Sequence, residues 1–283
     1  MSGMTIGVTG ATGRLGGRVA QRLAAAGATQ RLLVRDPERA PQLPGATTAR
    51  AAFGESDAVR AALDGVPTVL MVSATEAPDR VAQHAVFVDA AAAAGVQHLV
   101  YISVYGTAPD CTFTFGRDHF ATEKHVRASG MGFTFLRDNI YADWAAFLVG
   151  SDDTIRGPAG DGRFAPVARD DIADAAAAVL LDPAAHLGAT YSLTGPEDLT
   201  LHEVAAILTR KLGRPISYHP ETVEEAYASR SSYGAADWEV DGWVSMYTAI
   251  ARGELAGVTE DIPHLTGHPA TSLAELLSRD NPT

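Results

Sequence analysis

Glycines at 7, 10, 13 and 16 and arginines at 14 and 35 are the residues whose types and spacing point most directly to chemistry. The segment Thr5-Ile6-Gly7-Val8-Thr9-Gly10-Ala11-Thr12-Gly13-Arg14-Leu15-Gly16-Gly17 passes from an apolar β-type run, through glycines, into a helical pattern. Glycines let a backbone turn tightly and approach a pyrophosphate, and the helix that follows aims its first amides at the anion. The expected role is dinucleotide binding, against the alternative of a structural glycine turn of the same shape. A second apolar run, Leu32-Leu33-Val34, ends in Arg35, nineteen residues after Gly16. NAD-binding folds place an acid about twenty positions past the glycines to hold the ribose 2′-hydroxyl. A guanidinium there instead binds a 2′-phosphate through paired hydrogen bonds. Arg14 offers a second phosphate contact, although Asp36 sits beside Arg35. NADP(H) is therefore expected over NAD(H), with neither metal nor flavin. The expected cofactor-binding residues are Gly7, Gly10, Ala11, Thr12, Gly13, Arg14, Leu15 and Arg35, joined by Ser73 and Ala74 at a later strand end.

Proton chemistry is harder to place. Lysine occurs only at 124 and 211, and the residues four before them are Phe120 and Ile207, so no Tyr-x-x-x-Lys pair exists. His119 and Glu123 stand four apart, on one face of a predicted helix. They suggest a histidine proton donor oriented by a carboxylate, or else a structural pair. Tyr141 and Ser103 fall at predicted strand ends and are the other catalytic candidates, each with a packing or turn-forming alternative. Tyr105 could line the same mouth. Phe113 and Phe115 could cover the nicotinamide, and Trp144, Trp238, Trp243 and Tyr247 could wall an aromatic pocket, with core packing as the plainer role. His202-Glu203 lacks a second histidine four residues on, and no Gly-x-Ser-x-Gly elbow occurs.

These residues need elements to hold them, and the pattern supplies a βα rhythm. Strands are predicted at 46–50, 68–73, 98–103 and 133–137, and helices at 56–63, capped by Ser56, at 79–94 and at 118–129. The strands at 68–73 and 98–103 are apolar on both faces, as in a buried parallel sheet. The expected class is α/β, a Rossmann-type doubly wound parallel sheet, with ligands beyond the strand carboxyl ends. Further on, a helix from Asp170 or Asp171 to Leu181, a strand at 190–194, a helix at 202–212 and a strand at 216–218 are expected. The chain then turns mainly helical, and its last residues are expected to fray.

The 283 residues carry a net charge of −12, which argues against general nucleic-acid binding. No apolar run approaches bilayer length, no signal peptide is read, and Cys111 is the sole cysteine. A cytoplasmic protein is expected, with no membrane partner and with a homodimer left open.

The opening VTGATGRLGG, the strand end LVRDP, the stretch Phe133–Tyr141 and Val167-Ala168-Arg169-Asp170-Asp171-Ile172-Ala173 resemble the atypical, NmrA-like branch of the short-chain dehydrogenases/reductases. The resemblance runs nearly the whole length. It extends to NADPH-dependent quinone oxidoreductases and triphenylmethane-dye reductases. It implies a nucleotide-binding domain, 1–150, and a smaller α+β substrate domain, 151–283, interwoven at the boundary. Some relatives hold adenine with an acid after the third strand. Arg50-Ala51-Ala52-Phe53 stands there instead, so Phe53 could cover the ring. The implied function is hydride transfer to a quinone or conjugated aromatic acceptor. The acceptor is expected between the sheet's carboxyl edge and the segment after Tyr141. The alternatives are a nucleotide-sensing regulator without turnover and a biosynthetic reductase of an activated carbonyl or enone.

Overall fold

The structure is a computed structural model that describes residues 4–279. The first half alternates β1 (Ile6–Thr9), α1 (Arg14–Ala25), β2 (Gln30–Val34), β3 (Ala46–Arg50), α2 (Ser56–Ala62), β4 (Thr68–Met71), α3 (Arg80–Ala93), β5 (His98–Val104), α4 (Thr114–Ala128) and β6 (Gly132–Asp138). The second half adds β7 (Thr154–Gly157), β8 (Arg163–Phe164), α5 (Arg169–Leu181), β9 (Thr190–Leu193), β10 (Leu199–Thr200) and α6 (Leu201–Leu212). It closes with β11 (Ser217–Pro220), α7 (Val223–Arg230), α8 (Asp237–Ala251), α9 (Asp261–Thr266) and α10 (Leu273–Ser278). The expectation for the last residues falls largely outside the described ones. Among the described residues no helix is long and apolar enough to cross a membrane.

The central sheet has the order β3-β2-β1-β4-β5-β6-β9. The pairs β2–β3, β1–β2, β1–β4 and β4–β5 are parallel, with Val8 facing Leu32 on one side and Leu70 on the other. This is the doubly wound order, and its switch point lies between β1 and β4. Every residue of β4 and β5 is buried, as their two-sided apolar pattern requires.

Two compact units alternate along the sequence. The first comprises the chain up to Ser103 together with 118–137 and 170–191; the second comprises 104–117, 138–169 and the chain from Ser192 on. The first has a core of Leu33, Val59, Val69, Phe87, Leu99 and Phe135, among others. Within it, Arg18 and Arg22 of α1 bind Asp170 and Asp174 of α5 at 2.5–3.1 Å. The second unit has its own core, including Ile155, Phe164, Leu208, Tyr247 and Ile250.

Local chemistry moved several predicted boundaries. Ser56 does not cap α2: Glu55 is the N-cap, and its carboxylate pairs with Arg50 at 2.7 Å. Helix α4 starts at Thr114, four residues early, where the Ser245 hydroxyl accepts from the Thr114 amide at 3.1 Å. Strand β4 ends at Met71 because the Val72 amide donates to Thr9 Oγ1, at 2.9 Å. Helix α6 is closed at its start by a Thr200–Glu203 capping box and at its end by Gly213 in the left-handed conformation.

Candidate functional site

The glycine loop occupies the carboxyl end of β1. Gly10 turns with φ 66°, and its carbonyl accepts the Gly13 amide at 2.8 Å. A Cβ on Gly16 would stand 2.4 Å from the Gly10 carbonyl oxygen, so only glycine lets α1 pack this close to the loop. Gly13 is the N-cap of α1, no side chain caps the helix, and no acid lies in its first turn. Its first amides therefore face outward without a competing carboxylate, the arrangement that suits a pyrophosphate. Thr12, Gly13 and Arg14 are exposed at the loop, while Ala11 and Leu15 are buried and anchor it from below. Gly7 has a different task. It lies inside β1, where a Cβ would stand 3.0–3.2 Å from the side chains of Val69, Leu63 and Val66, so its missing side chain lets them pack on the sheet.

Arg35 follows β2 directly and is exposed. Neither its guanidinium nor that of Arg14 has an ion-pair partner among the described residues. By contrast, the nearby Arg50 is neutralised by Glu55. The donor set thus fits a dinucleotide carrying an additional phosphate. Across the switch point, Ser73 and Ala74 are already engaged inside the first unit. The Ser73 hydroxyl donates to the Ile102 carbonyl at 2.9 Å and meets the Tyr101 hydroxyl at 3.1 Å. The Ala74 amide donates to His84 Nε2 at 3.0 Å. The Ser73 hydroxyl and the Ala74 amide are thus engaged by the scaffold.

The polar groups of β5 and α4 correct the expected His119–Glu123 pair. His119 Nδ1 meets the Tyr101 hydroxyl at 3.0 Å, not Glu123. Glu123, 2% exposed, accepts from Ser103 Oγ at 2.7 Å and from Arg137 at 2.6 and 2.8 Å. Ser103 is fully buried, and its hydroxyl is held by that carboxylate. Burial raises the Tyr101 hydroxyl pKa above its ordinary value. Burial first, then the Arg80 and His84 charges, pushes His119 well below the ordinary histidine range.

His84 completes this layer. Accepting at Nε2 from Ala74, it carries its proton on Nδ1, facing Thr122 Oγ1 at 2.9 Å, and Thr122 in turn donates to the Asp118 carbonyl at 2.8 Å. Burial, with the Arg80 charge second, lowers its pKa to about 3. The unfolded chain binds a proton near the ordinary histidine value, about 6.5, while the folded one does not. The resulting stability is complete above that value and is lost as the pH falls toward 3. Between pH 7 and pH 5 the loss from His84 should be about 2 kcal/mol. Urea unfolding at the two pH values measures it, and His84→Asn should flatten the difference; an unchanged slope would remove His84 as its source.

In the second unit, Tyr141 and Trp144 meet edge to face at 5.2 Å. The buried Arg169 guanidinium lies over both rings, 4.5 Å from Tyr141 and 5.3 Å from Trp144. Asp143 anchors this arginine, accepting its amide at 2.9 Å. Tyr141 and Trp144 also line an apolar pocket with Phe164, Met246 and Tyr247. Asp138, at the end of β6, is buried, and that burial holds its carboxyl well above the usual carboxylate range. Phe115 is no free cover: it packs on Gly242, where a Cβ would stand 2.2 Å from its ring, and tilts against Trp238. Tyr105 donates to the Ala256 carbonyl at 3.0 Å. On α8, Tyr247 is buried while Trp243 remains 36% exposed. The sequence reading gave no role to Asp138, Arg169 or Tyr101. The only signal for the first was an acid three residues before Tyr141.

The profile of the NmrA-like family matches residues 2–232. Quinone oxidoreductase 2 of Escherichia coli (strain K12) is 33% identical, over 96% of this chain and 97% of that protein. The crystal structure of an NADPH-dependent quinone oxidoreductase from Escherichia coli, complexed with NADPH, superposes with a TM-score of 0.89 at 33% identity, covering 96% of this chain and 98% of the other. The Citrobacter sp. triphenylmethane reductase complexed with NADP(H) gives 0.86 at 30% identity, covering 98% and 99%.

Proposed function

The chain belongs to the NmrA-like family, and from that premise we propose that it delivers hydride from NADPH to quinones or related conjugated aromatic acceptors. It is an NAD(P)H-dependent oxidoreductase. NADPH, when bound, supplies the hydride. The Gly10–Gly16 loop and the first amides of α1 hold the pyrophosphate, and Arg14 and Arg35 take the 2′-phosphate.

The acceptor class rests on one observation: the polar groups of β5 and α4 are bonded inward. Reducing an unactivated ketone builds an alkoxide that needs a strong local donor. The chain has no Tyr-x-x-x-Lys pair, and the nearby Tyr101 hydroxyl has its pKa raised by burial, opposite to what a proton-exchanging tyrosine needs. Ser103 and Glu123 are tied to each other. Quinones and cationic dyes give stabilised products, so correct placement against the hydride donor supplies most of the acceleration.

Turnover tests this reading. NADPH oxidation should be brisk with quinones and cationic dyes and slow with simple ketones. A preference for simple ketones would overturn it. His119→Ala and Tyr141→Phe should each lower kcat by about tenfold, below the roughly 10²–10⁴-fold span of general acid catalysis. A loss of about ten-thousandfold from either would instead identify an indispensable acid.

A further inference from the structure

We propose that Tyr101 fixes His119 as a neutral imidazole that presents its Nε2–H to an oxygen of the acceptor, as a hydrogen-bond donor that keeps its own proton. This rests on the reductase reading above. All the protein groups involved belong to the first unit: Ser73 beyond β4, Tyr101 and Ile102 on β5, and His119 on α4. Tyr101 is fully buried, so both the oxygen and the hydrogen of its hydroxyl need partners. Ser73 is the donor toward it at 3.1 Å, sharing its hydrogen with the Ile102 carbonyl at 2.9 Å. The phenolic hydrogen must therefore go elsewhere. Thr122 is already engaged: its Oγ1 faces His84 Nδ1 at 2.9 Å and donates to the Asp118 carbonyl at 2.8 Å. His119 Nδ1, at 3.0 Å, is the acceptor that is left. Were His119 Nδ1 to donate instead, the Tyr101 oxygen would receive two hydrogens and its own would be stranded, which is costly in a buried place.

A neutral imidazole carries one ring hydrogen. With Nδ1 accepting from Tyr101, that hydrogen sits on Nε2. His119 is half-buried, and its Nε2 has no hydrogen-bond partner among the described residues. Burial, with the Arg80 and His84 charges behind it, keeps the ring neutral at ordinary pH. A neutral imidazole steadies charge on an oxygen through its N–H without giving up the proton. That suits an acceptor whose product is already stabilised. When the acceptor takes up hydride, the displaced electron pair settles on its oxygen. The His119 Nε2–H bonds to that oxygen and stays intact, and water supplies the proton that completes the product. No side chain changes its protonation state, in accord with the modest loss expected for His119→Ala. His119 is the residue that touches the acceptor; Tyr101, held by Ser73, is a positioning residue behind it.

Nitrogen NMR of the isotope-labelled wild type reads the tautomer without turnover. The His119 ring, assigned by its disappearance in His119→Ala, should show a protonated Nε2 and an unprotonated Nδ1 at neutral pH. The Nδ1–H form, or an imidazolium, would overturn the proposal. Tyr101→Phe should let the two tautomers mix; an unchanged His119 ring would overturn the role of Tyr101. Adding a quinone to the protein with NADP+, which cannot turn over, should shift the Nε2–H signal. A shift already complete with NADP+ alone would show that the donor serves the cofactor, and would overturn its assignment to the acceptor. Kinetics supply the second arm. Tyr101→Phe should lower kcat by about two- to tenfold, the span of one neutral hydrogen bond, with NADPH affinity unchanged. Tyr101→Phe/His119→Ala should be no slower than His119→Ala alone, because the hydroxyl acts only through the ring. Multiplying losses would overturn the proposal while leaving the reductase reading intact. A wild type with the expected tautomer but without quinone turnover would overturn the reductase reading, and the acceptor role of His119 with it.

Discussion

Replacing Glu123 with alanine should destabilise the protein by about 3 kcal/mol, the lower end for breaking a buried ion pair. The carboxylate is 3% exposed and Arg137 26% exposed, so the arginine left behind can recover part of its hydration. Ser103 cannot, because it is fully buried and has Glu123 as its acceptor. Glu123→Gln retains an acceptor for Ser103 or Arg137 but loses the charge, and should lie between the two. Arg127 reaches the same carboxylate only at 3.9 Å and from an exposed position, so Arg127→Ala should cost little. Urea unfolding at neutral pH decides the matter. A loss below about 1 kcal/mol for Glu123→Ala would mean that the cluster is worth no more than a surface pair. The same variants also separate stability from catalysis: folded Glu123→Gln should retain quinone reduction, since Glu123 orients no proton donor.

Arg35→Ala should weaken NADPH binding by about ten- to a hundredfold, the equivalent of one charged hydrogen-bonded contact at roughly 1.5–3 kcal/mol. NADH lacks the 2′-phosphate, so its affinity should hardly move. Arg35 is exposed and without an ion-pair partner among the described residues, so its removal disturbs no internal pair. Arg35→Lys keeps the charge but not the planar pair of donors, and an intermediate loss is expected. Calorimetric titration of both nucleotides reads the effect directly. Equal losses for NADPH and NADH would show that Arg35 does not select the cofactor.

Residue types and their spacing alone point to the doubly wound sheet, the loop at its switch point and the class of cofactor. Those features are written in short-range patterns: alternation of strand and helix, and glycines at 10, 13 and 16 between a strand and a helix. Backbone conformation over a few residues decides each of them, so spacing is enough. The absence of Tyr-x-x-x-Lys was equally legible, because a missing lysine needs no fold to be noticed. Partnerships were not legible. His119 and Glu123 share a helix face, yet one turns to Tyr101 and the other to Ser103 and Arg137. Gly7 belongs to the same glycine series, yet it packs against Val69 and Leu63. Asp138 looks like an ordinary strand-end acid until folding buries it. Only tertiary structure decides these cases, because a side chain's partner and its access to water depend on residues brought together from distant parts of the chain. A buried polar group takes whichever partner spares it from being unpaired.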